Sequence, residues 1–152
     1  DDIGLVIVIY GKQGKVNSVK RKYSNSRVYF ISNLEEDELQ TLYYYAKALL
    51  LPMRANNIQD KYRFPQKIAE YLMSGSPLLT NNGGIIKDYF NDNENAFVVD
   101  KYDLFTFAQK MDFIINNPTL AKKIGSQGYL SGKHYFHYQN YSKQLCDLFT
   151  IL

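Results

Sequence analysis

Short apolar runs alternate with longer amphipathic stretches along this chain, the arrangement that βα units of a parallel sheet require. The predicted strands are residues 5–10 (LVIVIY), 27–32 (RVYFIS), 48–53 (ALLLPM), 77–81 (PLLTN) and 96–100 (AFVVD). The first is continuous and β-branched, as a strand covered on both faces is. A turn at 11–14 and a basic helix over 15–24 follow it. A helix over 35–46 follows the second strand, with acidic residues in its first turn to complement the helix dipole. After the third comes a polar loop over 54–63. Next is a helix over 64–75, where Pro65 suits a first helical position and Gly75 a C-terminal cap.

Gly83-Gly84 predicts a tight turn before a short helical piece over 85–90. Helices over 103–116 and 118–133 are divided at Asn117-Pro118. An amphipathic helix over 138–152 closes the chain, with Leu145, Leu148, Phe149 and Leu152 on its apolar side. No internal repeat and no linker is visible. The expected fold class is α/β, a Rossmann-like three-layer parallel sheet of about five strands flanked by helices, in a single domain over 1–152.

A length of 152 residues leaves room for one domain, or at most one and a half. With 45% hydrophobic and 22% charged residues the composition is that of an ordinary globular fold. No apolar run approaches the roughly 18–20 residues of a membrane span, and no secretory signal opens the chain. A cytoplasmic protein is therefore expected. A net charge of +3 is too mild to point to nucleic acid, and none is expected as a partner. The basic residues Lys15, Lys20, Arg21, Lys22 and Arg27 read as a solvated helix face, with an anionic membrane surface as the weaker alternative.

Cys146, the single cysteine, excludes an internal disulfide and an all-cysteine zinc site. Its apolar helical neighbours predict a buried, inert thiol. His134 and His137 cannot furnish a metal cluster by themselves, so neither metal nor cofactor is expected. They sit among Tyr129, Tyr135, Phe136, Tyr138 and Tyr141, an aromatic run read as covering a sheet edge or meeting a second domain.

Ligands of open parallel sheets bind beyond the carboxyl ends of the strands, here 11–14, Asn33-Leu34, 54–63 and 81–84. The first fails as a phosphate loop, because Gly14-Lys15 is followed by Val16 and Ile9 stands where the leading glycine belongs. The Gly-x-Gly-x-x-Gly fingerprint is absent as well, so Gly11 and Gly14 read as turn glycines. A helix beginning at Pro65 would present the free amides of Gln66, Lys67 and Ile68 to an anion. At about 100° per residue, Lys67, Glu70 and Ser74 share one narrow face while Ile68, Tyr71 and Leu72 face the sheet. With Arg63 just ahead, two cations stand near one end and a carboxylate one turn on. That set suits a diphosphate and a ribose diol; it equally suits a surface Lys67–Glu70 pair beside a solvated Arg63. Gly83-Gly84 reads either as a plain turn or as a place where a ligand approaches the backbone closely. Asn33 stands where a nucleobase would meet the sheet edge, and also where loop filler is common.

The series Phe64-Pro65-Gln66-Lys67, Glu70-Tyr71, Gly75, Pro77, Gly83-Gly84 and Asn95–Val99 resembles the donor-binding half of family-four glycosyltransferases with the two-domain B-type fold. VIVIYG and VYFISN upstream and the Asn117-Pro118 helix downstream are similar too, so the resemblance covers nearly the whole chain. It implies the C-terminal half of such an enzyme, a fragment lacking the N-terminal acceptor domain and the first strand of its own domain. It implies a group 1 type hexosyltransferase, bacterial and in polysaccharide biosynthesis, that binds a nucleotide-diphosphate sugar. The acceptor would be a saccharide or lipid carrier met through the missing domain, with peripheral attachment to the inner membrane face as an option. The isolated chain would be inactive.

Under the resemblance Glu70 corresponds to the second glutamate of the Glu-x7-Glu motif, which hydrogen-bonds the donor ribose. Tyr62 stands where the first glutamate belongs, and a subgroup reading Arg-Phe-Pro-x-Lys matches Arg63 and Lys67 more closely. The implied catalytic set is Glu70, Lys67 and Arg63; the implied substrate-binding set is Pro65, Gln66, Gly83, Gly84, Asn33 and Tyr62. Lys87 replaces an acidic residue common after the double glycine. The arginine and lysine that usually neutralise the diphosphate lie on an earlier strand and helix without counterpart here. A non-catalytic nucleotide-sugar-binding or assembly module derived from the same fold is the alternative.

Overall fold

The computed structural model describes residues 3–10, 13–23, 27–54, 57–62 and 64–151. Arg63, Gly11 and Leu152 lie outside the described residues. The chain divides into two compact units, 1–41 and 42–152.

The first unit holds β1 (Leu5–Ile9), α1 (Gln13–Lys22), β2 (Val28–Ser32) and the start of α2 (Glu36–Tyr45). β1 and β2 pair in parallel from Leu5 opposite Val28 to Ile9 opposite Ser32. Leu5 and Val6 are exposed, so the start of β1 is not covered on both faces as expected. Gly14 belongs to α1 rather than to a turn. The acidic start of α2 folds back on itself, Glu38 Oε2 accepting the amide of Glu35 at 2.9 Å.

The second unit carries a three-stranded parallel sheet, in the order β3 (Leu49–Leu51), β4 (Leu78–Asn81), β5 (Phe97–Val99). The expected five strands are present, shared between two sheets. Between β3 and β4 run α3 (Ile58–Tyr62) and α4 (Lys67–Met73); a single 3-10 turn, Ile86–Asp88, follows β4. After β5 come α5 (Leu104–Asn116), α6 (Pro118–Phe136) and α7 (Gln139–Ile151).

Every residue of β4 is buried, as a central parallel strand requires. Its alternation sorts the core into two clusters. Leu78 joins Ile68 and Leu72 of α4, with Met53, Ile86 and Phe90. Leu79 joins Phe97, Phe107 and Ile114, with Ala121 and Ile124 of α6. Helices therefore cover the sheet from two sides. Glycines let α6 press close to α4: a Cβ at Gly132 would stand 2.9 Å from the Cβ of Leu72. One at Gly128 would stand 2.8 Å from the Asn95 carbonyl oxygen.

Three expectations are corrected. The polar loop at 54–63 contains α3, whose start is capped by Asn57 Oδ1 accepting the Gln59 amide at 2.9 Å. α4 begins at Lys67, not Pro65, because Ile68 and Ala69 bond back three residues to the carbonyls of Pro65 and Gln66. Cys146 is exposed rather than buried. At its start α7 is tied to the end of α6 by polar bonds: Asn140 Nδ2 donates to the carbonyls of Lys133 and His134 at 3.0 and 2.7 Å, and Tyr141 Oη to that of Tyr135 at 2.7 Å. Beyond that corner Leu145, Leu148 and Phe149 stand exposed beside Cys146. No helix among the described residues is long and apolar enough to cross a membrane.

Candidate functional site

β3 and β4 are parallel neighbours, so the connection between them must return the chain to its starting end. The first turn of α4 consequently stands at the end of the sheet where β3 stops, and Gly83-Gly84 leaves β4 at that same end. This carboxyl edge gathers the described sequence-predicted residues of the second unit.

The exit of β3 is held by two buried polar side chains. Asn81 Oδ1 accepts the amide of Met53 at 2.7 Å, and its Nδ2 donates to the Met53 carbonyl at 2.9 Å. One residue on, Asp60 Oδ2 accepts the amide of Arg54 at 3.0 Å, which draws α3 against the strand exit. Neither Asn81 nor Asp60 is among the residues expected from sequence. Their partners are backbone groups 28 and 6 residues away, so no local spacing in the sequence marks either contact.

α4 buries Ile68 and Leu72 and leaves Lys67 and Glu70 exposed, with Tyr71 and Ser74 between these extremes. The division follows the 3.6-residue period. Among the described residues neither Lys67 nor Glu70 makes an ion pair or side-chain hydrogen bond, so the plain surface pair is not formed. The anion-binding expectation also shrinks, since the amide of Ile68 is spent on the Pro65 carbonyl at 2.9 Å. Burial pushes the Tyr71 hydroxyl above its ordinary pKa, and the Glu70 carboxylate beside it adds to the rise.

Pro65 is buried, Gln66 exposed, and Tyr62 exposed on α3. Phe64 packs against Phe136 with ring centroids 4.8 Å apart and against Tyr89 at 6.0 Å. This aromatic knot ties the approach to α4, the segment after Gly83-Gly84 and the end of α6 together. Gly84 has φ +56°, a left-handed conformation that favours glycine. Gly83 accepts the Ile86 amide at 3.1 Å and has room for a side chain at ordinary contact distances. Asn33 belongs to the first unit, where it is exposed with φ +58° directly after β2. Arg63 lies outside the described residues.

Away from this edge, an open recess of about 480 Å³ is lined by Asp92, Asn93, Val98, Thr106, Lys110 and Phe113. Lys110 fills its role there by pairing with Asp92 at 2.7 Å over the rings of Phe97 and Phe113. Those contacts fasten α5 to the turn before β5 and bring no sequence-predicted site residue with them.

Residues 1–131 match the family of glycosyl transferases group 1. The chain belongs to that family. No curated protein matches it in sequence. Among solved structures, this group 1 chain is similar in fold to HepE of Anabaena, solved with UDP-glucose, at TM-score 0.77 and 14% identity, covering 98% of this chain and 41% of that one. It is similar to sucrose-phosphate synthase of Thermosynechococcus elongatus at TM-score 0.75 and 18% identity, covering 96% of this chain and 37% of that one. A third likeness is to the C-terminal domain of the group 1 protein LpcC of Francisella tularensis, at TM-score 0.62 and 17% identity, covering 82% and 63%. The chain thus spans about two-fifths of the length of the first two. The expected fold, the α/β C-terminal half of a B-type glycosyltransferase, is the observed one.

Proposed function

We propose that this chain is the donor-binding part of a glycosyltransferase that moves a hexose from a nucleotide diphosphate to a saccharide or lipid-linked acceptor. The observation that carries the reading is the group 1 match over residues 1–131. In such a transfer the bond from the anomeric carbon to the diphosphate oxygen breaks, and its electron pair leaves with the diphosphate. An acceptor hydroxyl oxygen forms the new bond and releases its proton. Negative charge grows on the diphosphate as the oxocarbenium-like centre forms, so cations fixed at the sheet edge favour departure.

Lys67 and Arg63 are assigned to the diphosphate and Glu70 to the ribose hydroxyls. Gly83 and Gly84 line the sugar, with Tyr62, Pro65 and Gln66 completing the donor side. The exposure of Lys67 and Glu70 on one face of α4, with no ion pair to either among the described residues, supports this assignment. The acceptor and any general base come from a partner domain outside residues 1–152, so the isolated chain binds nucleotide weakly and transfers nothing. The basic residues Lys20, Arg21 and Lys22 of α1 support peripheral contact with an anionic membrane surface in a bacterial polysaccharide pathway.

Calorimetry with UDP, GDP and their sugars tests the reading. The parent chain should bind one of them, and Glu70→Ala should weaken that binding about tenfold, the low end for a hydrogen bond to a charged group. Equal affinity of parent and Glu70→Ala for every nucleotide refutes the assignment. A non-catalytic binding module is the second reading, favoured by Tyr62 at the position where the resemblance places a glutamate. Transfer by the full-length protein, abolished by Glu70→Ala, excludes it.

A further inference from the structure

We infer that Arg54 is a further diphosphate-binding residue, a cation held at the carboxyl end of β3 to meet the donor's phosphates together with Lys67. The inference rests on the donor-binding reading above. It starts from how much polar structure is committed to one stretch of backbone. All four backbone polar groups of Met53 and Arg54 are engaged: the amide and carbonyl of Met53 by Asn81, the amide of Arg54 by Asp60, and the carbonyl of Arg54 by the Asn57 amide at 3.0 Å.

Asn81 is fully buried and Asp60 is 8% exposed. Burying such groups costs free energy that only good hydrogen bonds recover. The strand ladder does not need them, since it already ends at Leu51 opposite Thr80. What they hold is the place from which the Arg54 side chain leaves the sheet edge.

That side chain is exposed, and among the described residues its guanidinium forms no ion pair and no hydrogen bond. The carboxylate nearest in sequence, Asp60, turns an oxygen to the arginine's own amide. Lys67 at the same end of the sheet is also exposed, and among the described residues it makes no ion pair. Two cations without an ion pair among the described residues, at one end of the sheet, favour an anion with several oxygens, and the planar fork of a guanidinium fits phosphate oxygens two at a time.

The test is calorimetry on the whole 152-residue chain with UDP, GDP and ADP, each beside its free nucleoside. Arg54→Gln should weaken the nucleoside diphosphate that the parent binds about tenfold and change the nucleoside less than twofold. Its melting temperature should match the parent's, because the side chain is exposed. Unchanged diphosphate affinity in Arg54→Gln, or an equal loss on nucleoside and diphosphate, overturns the inference. If Glu70→Ala weakens binding while Arg54→Gln does not, only the role of Arg54 falls. If the parent binds no nucleoside diphosphate, the donor-binding reading falls and this one with it.

Discussion

Asn81 holds Met53 by both of its backbone groups, accepting from the amide at 2.7 Å and donating to the carbonyl at 2.9 Å. The β3–β4 ladder has already ended, so a side-chain amide supplies the pairing that a further pair of ladder residues would have made. Asn81→Leu keeps the volume and removes both bonds, leaving a donor and an acceptor unmet inside the core. At roughly 1–3 kcal/mol for each of the two stranded groups, the variant should lose about 2–6 kcal/mol in urea unfolding. Asn81→Asp should not rescue it, because a carboxylate accepts but cannot donate and is costly to bury. A parent-like urea midpoint for Asn81→Leu would show that the clamp contributes nothing.

Gly125 of α6 meets the Gly75 carbonyl oxygen so closely that a Cβ there would overlap backbone rather than a movable side chain. Gly75 itself has φ +75°, ending α4 in the left-handed conformation. Gly125→Ala should therefore destabilise by about 1–3 kcal/mol, in spite of the roughly 1 kcal/mol that alanine gains over glycine inside a helix. Gln127→Ala, at an exposed position two residues on, should stay near the parent. Thermal melts of the two variants decide it, and a Gly125→Ala variant at least as stable as Gln127→Ala contradicts the close packing.

The recess beside α5 offers a control for the site assignment. Lys110 Nζ lies 2.7 Å from Asp92 Oδ2 and 3.2 Å from Asn93 Oδ1, between rings of Phe97 and Phe113. Its side chain is 18% exposed, so the pair is better shielded than most surface pairs. Lys110→Met keeps the stem and should cost about 1 kcal/mol in urea unfolding. Nucleotide affinity should not move. A Lys110→Met variant that folds but binds nucleoside diphosphates several-fold more weakly would shift the donor site to this recess.

Elements with a strong local signature were legible in the sequence. The opposite faces of α4 followed from the spacing of Ile68 and Leu72 against Lys67 and Glu70. Gly75 at the end of that helix and Pro118 at the start of α6 followed from their backbone preferences. Short polar elements were not legible. The only apolar residues of α3, Ile58 and Tyr62, are 78% and 71% exposed, so no buried hydrophobic face marks it. Its stability comes instead from a cap and from Asp60 reaching back to Arg54. Cys146 misled for the opposite reason. Its apolar neighbours on α7 predicted burial, yet Leu145, Leu148 and Phe149 find no cover among the described residues. Periodicity states which side of a helix is apolar, and only tertiary contacts state whether that side is buried.

Tyr71 reports on the charge of Glu70 and gives the candidate site a pH signature. Burial is the larger cause of its raised pKa, and the adjacent Glu70 carboxylate is the second. Glu70→Gln should lower the Tyr71 pKa but leave it above the ordinary value of 10.0, because burial remains. For a group whose folded pKa is raised, the folded state holds the proton more tightly than the unfolded chain. The stability it contributes is complete below pH 10 and is lost as pH rises through the higher folded value. Unfolding midpoints should therefore fall more steeply above pH 10 in the parent than in Tyr71→Phe, with Glu70→Gln between them. NMR titration of Tyr71 checks the pKa directly. An identical Tyr71 titration in parent and Glu70→Gln would mean that the Glu70 charge does not reach the ring, and Glu70 would then point away from the face on which the donor is placed.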